Sequence, residues 1–85
     1  MKHAGQEALD SVEDVLAAVR AHPELTERKR GAFYRKSAGF LHFHEDPAGM
    51  FADVKVGKSF ERLPVNSPEE RATLITRVTE SLASP

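Results

Sequence analysis

The run Phe40-Leu41-His42-Phe43-His44-Glu45-Asp46-Pro47-Ala48-Gly49-Met50-Phe51-Ala52-Asp53-Val54-Lys55-Val56 sets the architecture of this 85-residue chain. On either side of a central turn the residue kinds alternate with a period of two, the spacing of a strand with two unlike faces. Asp46-Pro47-Ala48-Gly49 has the chemistry of that turn. Aspartate starts it, proline presets φ, and glycine closes it in a left-handed conformation. A four-residue connection pairs Glu45 with Met50, His44 with Phe51, Phe43 with Ala52, His42 with Asp53 and Leu41 with Val54, and sets Phe40 against Lys55. One face then collects Leu41, Phe43, Met50, Ala52, Val54 and Val56. The other collects Phe40, His42, His44, Phe51, Asp53 and Lys55. A slip of one residue would mix the two classes, so the hydrophobic pattern itself selects this register.

Further strands flank this hairpin. Residues 32–36 are a short strand, and Ser37-Ala38-Gly39 is a tight connection in which Gly39 is free to take positive φ. Residues 40–45 and 50–56 are the two central strands. Gly57-Lys58 fits a two-residue hairpin turn, and residues 59–63 form a fourth strand whose following Pro64 confines it to a sheet edge. Towards the N-terminus, Leu9, Val12, Leu16 and Val19 recur at helical spacing, predicting a helix over residues 6–21. Acidic residues enrich its first half, and Pro23 ends it. At the other end, Ser67-Pro68-Glu69-Glu70 reads as a capping box with proline at the first helical position, opening a helix over residues 68–82. Leu74, Ile75, Val78 and Leu82 are its apolar stripe. The expected order is α-β-β-β-β-α. This is an α+β fold, a four-stranded antiparallel meander with both helices packed on one face, in a single domain spanning residues 1–85.

Composition narrows the function. An apolar share of 40% and a charged share of 29% belong to an ordinary globular domain. The chain has no cysteine, so neither a disulfide framework nor a thiolate metal site is open to it. No apolar run is long enough to span a bilayer, and Met1-Lys2-His3-Ala4 lacks a signal core, so a cytoplasmic protein without a membrane partner is expected. A net charge of −1 gives no global attraction to nucleic acid.

Three candidate sites follow. The first is the mixed sheet face of Phe40, His42, His44, Phe51, Asp53 and Lys55. No helix remains to cover it, and exposed aromatics there point to a protein partner or to self-association as a homodimer. The second is a metal shell on the same face. Two histidines two apart on a strand have Cα atoms roughly 6.5 Å apart. With Asp53 about 5 Å across the sheet from His42, His42, His44 and Asp53 make a two-histidine, one-carboxylate set suited to zinc or another divalent metal. The plainer alternative is that Asp53 pairs with His42 while His44 packs on Phe51, with no cofactor. The third is the basic cluster Arg28, Lys29, Arg30, Arg35 and Lys36, with Phe33 and Tyr34 between. Such interleaving can hold phosphates and stack bases, but it equally suits a charged edge, and nucleic acid is the weaker reading. Acid–base chemistry at His42 and Asp53 would also need a nucleophile or an oxyanion site. Ser37 and Ser59 lie in turns and no nucleophile elbow is present, so the chain reads as a binding module rather than an enzyme.

Gly39-Phe40-Leu41-His42-Phe43-His44-Glu45 followed by Ala52-Asp53-Val54-Lys55-Val56 resembles the central strands of small bacterial luciferase-like domains and related domains of unknown function. That resemblance covers roughly residues 31–56 and implies no catalytic residue. The α-β-meander-α order is also similar to that of YjbR-like domains, which implies a partner-binding or DNA-binding role at the level of architecture alone.

Overall fold

The computed structural model describes residues 2–83. Strand β1 (Lys2–His3) leads into helices α1 (Gln6–Asp10) and α2 (Glu13–Arg20). Strands β2 (Leu25–Lys29), β3 (Ala32–Arg35), β4 (Ala38–Asp46), β5 (Gly49–Val56) and β6 (Ser59–Pro64) follow, and helix α3 (Pro68–Ala83) closes the fold. The sheet is an antiparallel meander in the order β2-β3-β4-β5-β6, with β1 paired to β4. The α+β class and the meander are as expected. The strand count is six rather than four. β2 escaped notice because its sequence, Leu-Thr-Glu-Arg-Lys, is that of a charged edge, where polar side chains replace apolar alternation. β1 has only two residues, too few for any period.

The β4–β5 register is the expected one from Leu41 opposite Val54 to Glu45 opposite Met50; it runs one pair further, to Asp46 opposite Gly49, so the turn is Pro47-Ala48, and the expected pair of Phe40 with Lys55 is not among those formed. Gly49 has φ +133°, and a Cβ there would meet Asn66 Oδ1 at 2.7 Å. Val56 pairs with Ser59 across the Gly57-Lys58 turn, again as expected. The connection before β4 differs. Arg35 pairs with Ala38, so the turn is Lys36-Ser37, and these two residues, not Gly39, carry the positive φ values of 51° and 69°. Gly39 lies inside β4.

The N-terminal helix is broken where the apolar spacing predicts one continuous element. The Ser11 hydroxyl donates to the Ala8 carbonyl at 2.6 Å, taking the acceptor that the Val12 amide would use in an unbroken helix. The Val12 amide donates to Leu9 O instead, and α2 starts afresh at Glu13. Both Leu9 and Val12 are buried by this offset.

The helices cover one face of the sheet. Val15, Leu16 and Val19 of α2 and Leu74, Val78 and Leu82 of α3 meet Phe33, Leu41, Phe43, Met50, Ala52 and Val54 in a single core. Among the described residues no buried side-chain polar atom lacks a partner, and no helix is long and apolar enough to cross a membrane. The capping box forms as its sequence implies. The Glu70 amide donates to Ser67 Oγ at 3.1 Å, while Glu70 Oε1 accepts from the Ser67 and Asn66 amides. Ser67→Ala is expected to lower the unfolding free energy by about 1 kcal/mol, measurable by urea denaturation followed by circular dichroism.

Candidate functional site

Because β4 alternates, the face away from the helices receives His42 and His44, and the observed registers add their neighbours. β5 contributes Phe51, Asp53 and Lys55; β6 contributes Phe60 opposite Lys55 and Arg62 opposite Asp53. β3 adds Tyr34, whose ring meets His42 edge-on at 6.0 Å between centroids. Arg28 of β2 lies over the Tyr34 ring at 4.6 Å, a favourable place for a guanidinium. β1 brings His3 opposite His44, with ring centroids 5.0 Å apart.

Phe40 does not belong to this face. Phe33 pairs with Leu41 but Tyr34 pairs with Gly39, so β4 carries one extra residue opposite β3, and that residue is Phe40. Such a bulge suspends the alternation. Phe40 is only 2% exposed and joins the core next to Leu41, giving two consecutive buried side chains. The other five residues assigned to the face, His42, His44, Phe51, Asp53 and Lys55, are half-buried, as an uncovered but well-populated sheet surface requires.

Asp53 is the electrostatic centre. Its carboxylate accepts from Arg62 Nε at 2.8 Å and Nη2 at 2.9 Å, a bidentate pair, and lies 3.1 Å from His44 Nε2. Arg62 holds the Asp53 carboxyl below its usual range; burial opposes this, and His44 adds to the lowering. The partner of Asp53 is therefore the diagonal His44 and not His42, which it faces directly. With both oxygens engaged by Arg62, Asp53 is poorly placed as a metal ligand. Among the described residues no group of three or more His, Asp or Glu side chains is arranged to hold a metal ion.

His42 sits between Tyr34 and Phe60, with the Phe60 ring centroid 6.0 Å away. A Cβ on Gly39 would stand 3.0 Å from His42 Nε2, so the missing side chain at Gly39 makes room for the imidazole. Burial holds the His42 pKa below the ordinary histidine value, and the nearby His3 and His44 lower it further against a smaller opposing pull from Asp53. The consequence for stability has a definite sign. Above the unfolded-state value of about 6.5 both states keep His42 neutral; as pH falls from there through the lower folded value, the unfolded chain takes up the proton first and stability declines. His42→Gln is expected to flatten that decline, which urea midpoints measured across the same pH window would show.

The basic cluster is dispersed. Arg30 reaches the helical layer, pairing with Asp10 and Glu13 at 2.8 Å each and with Gln6 Oε1 at 2.7 Å. Arg35 donates to the Leu82 carbonyl of α3 at 3.4 Å. Arg28 stays on the open face, Lys29 is exposed near the β2–β3 turn, and Lys36 lies in the turn before β4. These five residues do not make one basic patch.

His3, Phe60 and Arg62 complete the face without having been expected there. Phe60 and Arg62 were within reach, since extending the Gly57-Lys58 hairpin register places Arg62 opposite Asp53. His3 carries no such signal, because a two-residue strand leaves no pattern. No protein-family model matches the chain, and no curated protein or solved structure matches it significantly.

Proposed function

We propose that the chain is a cytoplasmic binding module that takes an acidic segment of a partner protein onto its uncovered sheet face. The observation that carries this reading is that two cations of the open face, Arg28 and Lys55, stand without an ion pair among the described residues. The strand positions of the open face hold Arg28, Lys55 and Arg62 against two carboxylates, Asp53, which Arg62 already neutralises, and Asp46, at the end of β4 with its carboxylate on the Ala48 amide. On the helical side the charges are instead matched, Asp10 and Glu13 with Arg30, Glu13 also with Arg20, Asp14 with Arg71 and Glu80 with Arg77. Exposed aromatic surface accompanies the cations, with Phe60 50% exposed beside His42. Cationic groups interspersed with aromatics favour an anionic partner with some apolar contact area.

Two rivals fit less well. Face-to-face self-association would bring like charges together, which disfavours it. A nucleic acid would find no continuous basic patch, since Arg30 is held by Asp10 and Glu13 and Arg35 lies on the Leu82 carbonyl.

A fluorescein-labelled peptide alternating glutamate and valine, titrated with the protein and followed by anisotropy, tests the reading. Saturable binding that weakens with added salt and disappears when glutamine replaces glutamate is the expected result. Absence of binding, or tighter binding to a mixed-sequence single-stranded oligonucleotide, would overturn it.

A further inference from the structure

Along one side of β4 the neighbouring strand changes identity. β3 accompanies β4 as far as Ala32 opposite His42, and β1 takes over with His3 opposite His44. The Ala4 amide donates to the Phe43 carbonyl at 3.1 Å, holding the segment after β1 against β4. Between the two strand ends lies a slot of about 230 Å³. Leu9 and Phe43, both 3% exposed core residues, line its apolar part. His3, Lys29, Tyr34 and His42 line its polar part.

The lining contains no carboxylate. Arg30 also lines the slot, but its guanidinium is committed to Asp10 and Glu13. Lys29 has no ion pair among the described residues and leaves its charge available. Imidazole and phenol groups supply hydrogen-bond donors beside that charge. An apolar floor with a few convergent polar groups is, on a small scale, the lining that small-molecule sites share.

We infer that the slot binds a small free organic carboxylate with a compact apolar body, of roughly eight non-hydrogen atoms if each occupies about the 30 Å³ share of a water molecule. The carboxylate end is matched by Lys29 and the donors of His3, Tyr34 and His42. The apolar body is matched by Leu9 and Phe43. A cation would meet Lys29 with nothing to balance it. An inorganic anion would leave Leu9 and Phe43 facing a hydrated ion, a mismatch in polarity. The slot shares Tyr34 and His42 with the open face, yet its occupancy needs no protein partner, so this inference and the acidic-segment reading fail separately.

The test uses the full chain and benzoate as probe, followed by NMR of backbone amides and imidazole rings, with benzamide and inorganic phosphate as parallel arms and no peptide present. Benzoate is expected to shift the Gly31 and Ala32 amides and the His3 and His42 rings saturably, with Kd on the order of 1 mM. Lys29→Gln is expected to weaken it about fivefold, the scale of losing one exposed charge contact. Benzamide and phosphate are expected to bind more weakly than benzoate. Absence of saturable shifts at the slot, benzamide binding as well as benzoate, phosphate binding as well as benzoate, or unchanged affinity in Lys29→Gln would each overturn the inference.

Discussion

Replacing Phe40 with alanine is expected to lower the unfolding free energy by about 3–5 kcal/mol, a large part of the 5–15 kcal/mol typical of a whole domain. The reason is the bulge. On an unbroken strand Phe40 would share the open face with His42 and His44, and truncating it there would cost about 0.5 kcal/mol or less. The extra residue opposite β3 instead turns Phe40 into the core, where it is 2% exposed. Removing its ring loses the burial and leaves a cavity that the surrounding sheet and α3 cannot fully close. Phe60 is the internal control, an aromatic on the open face that is 50% exposed. Phe60→Ala is expected to leave stability within about 1 kcal/mol of the parent. Urea denaturation of the two variants side by side separates the roles: a large loss at Phe40 with a small one at Phe60 fits the bulge, and equal losses do not.

The second large effect concerns binding. Reversing both free cations of the open face, Arg28→Glu with Lys55→Glu, is expected to weaken the acidic peptide about tenfold or more. Each exposed charge contact contributes about 0.2–1 kcal/mol, and reversal replaces an attraction with a repulsion of similar size. Two such changes together come to about 0.8–4 kcal/mol, a range centred above the roughly 1.4 kcal/mol that corresponds to a tenfold change. Neither cation has an ion pair within the described residues, so stability should fall by no more than the roughly 0.5–1 kcal/mol of the Arg28–Tyr34 contact. The matching reversal on the helical side, Glu69→Lys with Glu80→Lys, is expected to leave affinity near the parent value or raise it slightly through the longer-range field. Anisotropy titrations at fixed ionic strength decide between these outcomes.

The hairpin was legible because three independent signals agreed. The Asp46–Gly49 turn, the apolar alternation on β5 and the size match across the pairs all select one register, and that register is the observed one. The α3 cap was legible because Ser67, Pro68 and Glu70 each have a distinct job at a helix start. The bulge was not legible. Gly39 hinted at a break in the pattern, but Phe40 and Leu41 are equally apolar, and periodicity alone does not say which of two adjacent apolar residues is turned inward. Ser11 broke the N-terminal helix through a hydroxyl that competes for a backbone carbonyl; the apolar spacing on either side conceals the break. The site was half visible for a related reason. His42, His44 and Asp53 share a face by alternation, but which histidine meets Asp53 depends on side-chain direction and on Arg62 from the next strand. The Arg28–Lys36 cluster is compact in sequence and scattered in space, since successive residues of an edge strand point to opposite sides of the sheet.

The central claim is that the uncovered face of β4, β5 and β6 receives the partner. Backbone chemical-shift mapping of the full chain with the glutamate–valine peptide tests it most directly. The predicted result is a contiguous set of shifts at His42, His44, Asp53, Lys55 and Arg62, with Asp14, Glu70 and Thr79 on the helical side unmoved. Shifts confined to the helical side, or none at saturating peptide, would contradict it.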